Sequence, residues 1–146
     1  AIDRNTLEQF IETVKKYILL LFLLNLGISS EPQPLFEIDV RLRVVNDDLL
    51  YVVVQVDNFS GRGVTELAGF ITESNSDDII VSQEKIVHIH PYDPILTNGQ
   101  MSIRGYTYPF KKSMDHGFRY HISRVTFRND NRVFAWSPFD GLIRIE

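Results

Sequence analysis

This chain of 146 residues predicts a mostly β fold, an antiparallel β-sandwich preceded by one N-terminal helix. Three observations carry that expectation. Apolar residues recur at helical spacing only near the start, over about residues 6–26. Beyond residue 35, seven to nine short segments rich in β-branched and aromatic residues follow at spacings near ten, divided by Gly, Pro, Asn and Asp clusters. No second helical pattern alternates with them, which argues against a βαβ architecture. The expected organisation is one domain, 1–146, with the helix at about 6–26, a Pro-containing connector at 27–34 and a β domain at 35–146.

The helix opens on Thr6-Leu7-Glu8-Gln9, a capping-box pattern in which the Thr6 hydroxyl accepts from the amide three residues on. Leu7, Phe10, Ile11, Val14 and Ile18 follow at helical spacing, and Glu12 stands four before Lys16 on the polar side. From Tyr17 to Leu24 every residue is apolar, and Gly27 is a natural stop. Glu8, Glu12, Lys15 and Lys16 interrupt the run a membrane span requires, so no transmembrane segment is expected. A signal peptide would not carry acidic residues ahead of its apolar run, which leaves a buried helix as the reading. Its second half is apolar all round, so one sheet face cannot cover it. Either the sheet curls around the helix, an α+β alternative, or a protein partner or second copy covers the far side. Ile18, Leu21, Phe22 and Leu24 are expected to carry that contact or core.

Glu31-Pro32-Gln33-Pro34 separates the helix from the strands. Phe36, Ile38, Val40, Leu42 and Val44 alternate with Glu37, Asp39, Arg41 and Arg43, which predicts a strand with one buried and one charged face. Asn46-Asp47-Asp48 turns it into Leu49–Val56, apolar on both faces and therefore central. A glycine-bearing loop at 58–63 leads to Val64–Thr72. The turn Asn75–Asp78 leads to Ile79–Val81 and Lys85–His90. Met101–Tyr108 and Phe118–Phe127 flank the basic loop Lys111-Lys112. Asn129-Asp130-Asn131 turns into Arg132–Trp136, and Leu142–Ile145 closes the chain.

Charge is uneven. Residues 1–100 hold 7 Lys/Arg against 15 Asp/Glu, and residues 101–146 hold 8 against 4. The two halves are expected to neutralise each other across the fold. Alternatively, Arg104, Lys111, Lys112, Arg119, Arg124 and Arg128 form a surface for an acidic partner. The chain has no cysteine, which excludes disulfides, thiolate nucleophiles and thiolate metal sites and fits a reducing, intracellular setting.

Chemistry-bearing patterns are sparse. His88-Ile89-His90 places two imidazoles on one strand face, as the strands of double-stranded β-helix metalloenzymes do. Asp93, His116 or His121 would complete such a site, although the usual preceding glycine is missing. That pair supports the alternative of a small-ligand-binding or metal-dependent β-barrel-like enzyme. Arg104-Gly105-Tyr106-Thr107-Tyr108 resembles the aromatic strand of RNA-recognition domains, but Thr107 and Pro109 break the pattern and the helices of that fold are missing. Neither nucleic-acid binding nor a cofactor is expected. Asn58-Phe59-Ser60 is a formal glycosylation acceptor, and Asp47-Asp48 and Asp77-Asp78 read as turn chemistry. The first two strands and the polar loop before Val64 resemble immunoglobulin-type or appendage-like sandwiches, a likeness of architecture that transfers no functional residue. The resulting expectation is a non-catalytic interaction or assembly domain.

Overall fold

In the computed structural model, which describes residues 3–28 and 32–146 with side chains at 3–22 and 32–146, the chain falls into two units, Ala1–Gln33 and Pro34–Glu146. The first unit is built on α1, Arg4–Ile28. Its 25 residues span about 37 Å. It starts earlier than the capping box predicts: the Asp3 carbonyl accepts from the Leu7 amide at 3.1 Å, which puts Asp3 at the N-cap and Thr6 inside the first turn. The side-chain pairs Arg4–Glu8 and Glu12–Lys15 lie at 3.7 and 3.6 Å on its surface. No described helix is long and apolar enough to cross a membrane.

The second unit has eight strands: β1 Phe36–Asn46, β2 Leu49–Asn58, β3 Val64–Ser74, β4 Ile80–Ile89, β5 Met101–Pro109, β6 Gly117–Phe127, β7 Phe134–Ser137 and β8 Gly141–Arg144. They form two antiparallel sheets, ordered β1-β2-β5 and β4-β3-β6-β7-β8. β2 is the middle strand of the smaller sheet, as its two apolar faces require. The two expected segments around 79–90 are one continuous β4, with register shifts opposite Leu67/Ala68 and opposite Glu73/Ser74. Asn46 makes the β1–β2 turn, its side chain accepting from the Asp48 amide at 2.9 Å.

The sheets face each other as a sandwich and do not close into a barrel. Leu50, Val52, Val54 and Val56 of β2 meet Leu67, Ile71, Ile122 and Val125 of the larger sheet, all buried. Phe36, Phe127, Phe134 and Trp136 form an aromatic cluster, with Phe36 edge-on to Trp136 at 5.4 Å. Every residue of this core lies in 35–142 and the two sheets cover each other's inner faces, so the fold is the sandwich and not the single curled sheet of the alternative.

The sandwich has one closed and one open side. On the closed side, β4 and β5 are laced together: Arg104 Nε–H donates to the His88 carbonyl at 2.9 Å and the Tyr108 hydroxyl to Glu84 at 3.3 Å. On the other side β6 pairs with β7 only at Val125↔Phe134, which leaves the first half of β6 without a neighbour there. β1 is likewise an edge strand. Its inward face is buried at Phe36 (1% exposed) but open at Leu42 (46%) and Val44 (52%), so the buried face expected along the whole strand holds only for its first part.

Candidate functional site

Among the described residues, three places stand out as candidate sites. The first is α1. Its ten described large apolar side chains, Leu7 to Phe22, are 39–66% exposed. Leu7, Phe10, Val14, Tyr17 and Leu21 fall three and four apart, and Ile11 and Ile18 widen that seam into a bundle-type stripe. Asn5, Glu8, Gln9, Glu12, Lys15 and Lys16 take the opposite side over the first half, and Leu19 and Leu20 take it beyond. Of the expected contact residues, Ile18, Leu21 and Phe22 are exposed, while the side chain of Leu24 lies outside the described residues.

The second is a groove of about 550 Å³ on the open side of the sandwich. Phe36, Ile38 and Val40 of β1 form one wall; Phe118 and Tyr120 of β6, with Trp136 and Pro138, form the other. It exists because β1 and the first half of β6 both lack an outer neighbour.

The third is a cavity of about 450 Å³ over the β5–β6 connection, lined by Glu73, Glu84, Tyr108 and His116. Its floor is a buried pair: His116 Nδ1–H donates to Glu73 at 2.6 Å, and the other carboxylate oxygen accepts from the Ser82 hydroxyl at 3.1 Å. The Lys111 backbone meets His116 Nε2 at 3.2 Å. Both ring nitrogens are thus engaged, and the pair fastens the connection to β3. No pattern in the sequence points to this pairing, because 43 residues separate its members.

The two strand histidines do not share an open face. The register shift in β4 sits at His88, so His88 and Ile89 are both buried and the expected alternation fails there. His88 Nε2–H donates to the Val54 carbonyl of the facing sheet at 3.1 Å, while His90 stacks on Tyr92 at 4.9 Å. Burial lowers the His88 pKa from 6.5 to about 4, with the Arg104 charge adding to the fall and the Val54 hydrogen bond opposing it. The ring is therefore neutral at physiological pH. Asp93 caps the His90 amide at 2.8 Å and pairs with Arg104 at 3.0 Å, and His121 stacks on Phe70. Among the described residues no three His, Asp or Glu side chains converge as a metal site.

The basic residues of the second half are partly spent on the acidic first half. Arg104 pairs with Asp93 at 3.0 Å, Lys112 with Asp47 at 3.0 Å, and Arg124 with Glu66 at 3.5 Å and Glu146 at 3.0 Å. Lys111, Arg119 and Arg128 are exposed. In the reverse sense, Arg62 and Arg132 both bind Asp130 at 2.8 Å, holding its carboxyl well below the usual carboxylate range.

Asn58 is not an open glycosylation acceptor. It is fully buried, and its Nδ2 donates to the carbonyls of Arg62 at 2.7 Å and Leu96 at 2.9 Å. Its Oδ1 accepts from the Ser60 amide and hydroxyl, so the side chain organises the 58–63 loop from inside.

No protein-family model matches the chain, and no curated protein matches it in sequence. Among solved structures, it is similar to the crystal structure of a protein described as ApaA from Bordetella pertussis. The TM-score is 0.50 at 10% identity, covering 79% of this chain and 93% of that one. That likeness is one of fold.

Proposed function

We propose that this chain is a non-catalytic interaction and assembly module whose helix α1 docks on an apolar helical surface of another chain, either a second copy or a different protein. The observation that carries this reading is the exposed apolar seam of α1, 39–66% exposed from Leu7 to Phe22. A surface of that extent is costly to leave in water, at roughly 25 cal/mol per Å². The bundle-type spacing of the seam, with polar and charged residues opposite it over the first half, fits a helical partner. The buried and neutral His88, stitched to Val54, does not favour the metal-dependent alternative.

Light scattering and hydrophobic-dye binding on the full chain and on Ile18→Asp/Phe22→Asp test it. The expected result is a dye-binding wild type that assembles, and a folded variant that has lost dye binding and forms a smaller species. A monodisperse wild-type monomer that binds no dye would overturn the reading.

A further inference from the structure

The outer edge of β1 carries a charge pattern that its own sheet does not use. Along one face stand Glu37, Asp39, Arg41 and Arg43, all exposed. Opposite them on β2 stand Asp57, Gln55, Val53 and Tyr51, none of opposite charge, and Glu37 faces Asp57 directly. Within β1 the pattern is answered only by the Asp39–Arg41 contact at 2.6 Å. Two acids followed by two bases at alternate positions have a particular property. Read against its own reverse, the pattern pairs Glu37 with Arg43 and Asp39 with Arg41, twice over.

The backbone allows that pairing in the matching register. The Leu35 carbonyl accepts from the Phe59 amide at 2.8 Å, which places 35 among the positions bonded to β2. Because antiparallel ladders alternate, the odd residues of β1 face β2, and the even residues direct their N–H and C=O groups outward. An antiparallel copy centred on Val40 therefore bonds Val40 to Val40, and Ile38 to Leu42. The charged residues then fall at the non-hydrogen-bonded positions, where side chains approach most closely. The irregularity of β1, between Val44 and Asn46, lies beyond the stretch to be paired. From Phe36 to Val44 there is no proline and no inward-pointing charge, which are the usual guards of an exposed edge. On the inward face, Leu42 and Val44, open in the single chain, would gain Ile38 and Phe36 of the second copy as lateral neighbours.

We infer that two copies of this chain associate through β1, edge to edge about a twofold axis at Val40, joining their three-stranded sheets into one six-stranded sheet. This names a partner for the assembly reading above but rests on β1 alone, not on α1.

The absence of cysteine makes the register directly testable in the full chain. Under a mild thiol oxidant, Val40→Cys should form a covalent dimer, because a hydrogen-bonded antiparallel pair holds its Cα atoms about 5.5 Å apart. Glu37→Cys alone and Arg43→Cys alone should not cross-link, whereas their equimolar mixture should. Adding Arg41→Glu to Val40→Cys should reduce cross-linking by about tenfold or more, and the swap Asp39→Arg/Arg41→Asp should preserve it. An uncross-linked Val40→Cys, a Glu37→Cys chain that cross-links with itself as readily, or cross-linking indifferent to Arg41→Glu would each overturn the inference. The helix variants Ile18→Asp/Phe22→Asp leave these strand contacts untouched, so failure of the α1 reading is distinguishable from failure of this one.

Discussion

His88 shows what a single buried residue contributes. Its imidazole bonds to a carbonyl of the facing sheet and is held neutral by burial. The unfolded chain takes up a proton near 6.5, and the folded chain only near 4, so acid favours unfolding across that window. The contribution of His88 should be level above pH 6.5, fall by about 3 kcal/mol as the pH drops toward 4, and change no further below that. Urea midpoints across the range would measure the fall, and His88→Gln should flatten it between pH 6.5 and 4.5. Gly69 makes a related point about space. A Cβ there would run into the His121 carbonyl and the Tyr120 ring, so glycine is what lets β3 and β6 close around that tyrosine. The sequence marks both residues by type alone. His88 reads as half of a paired-histidine face until the register shift turns it inward, and Asn58 reads as a surface acceptor until its amide is seen bonded on both hydrogens.

At the scale of elements, the β5–β6 connection is fastened to β3 by a buried contact. His116 fastens it to Glu73 in a buried setting where the carboxylate otherwise keeps only Ser82. His116→Ala should cost about 2 kcal/mol by leaving a buried acceptor under-satisfied. Amide exchange should quicken over 110–116 while β2 remains protected; unchanged exchange in that segment would show that the pair does not hold it. Strand positions were legible from alternation and turn residues, and β2 as a central strand was legible from its two apolar faces. The limit appears at β1, whose perfect alternation predicts a buried face that the fold supplies only near Phe36. Alternation reports which residues share a face, and says nothing about how far the opposing sheet extends over it. The same limit hid the groove, which arises from strands that lack neighbours and leaves no mark on any one segment.

Across the whole molecule, the second unit holds its own hydrophobic core, a buried cluster that runs from Phe36 to Trp136. A fragment beginning at Pro34 should therefore keep a cooperative unfolding transition and native Trp136 fluorescence; a fragment that unfolds without cooperativity would contradict this account of the core. The charge asymmetry also resolves at this scale, since Asp47, Glu66 and Asp93 of the acidic part meet Lys112, Arg124 and Arg104 of the basic part. What the amino-acid sequence determined by itself was local: one helix, the strands and their turns, the absence of thiol chemistry, and an apolar segment too extensive for one covering face. These depend on the periods of backbone geometry and on side-chain chemistry, which act over a few residues. What the tertiary structure decided was which side of the sandwich closes, where His88 and Asn58 point, that Glu73 finds His116, and that β1 keeps an open edge. Those outcomes depend on strand order and sheet extent, set by packing between residues tens of positions apart, where no local pattern reaches.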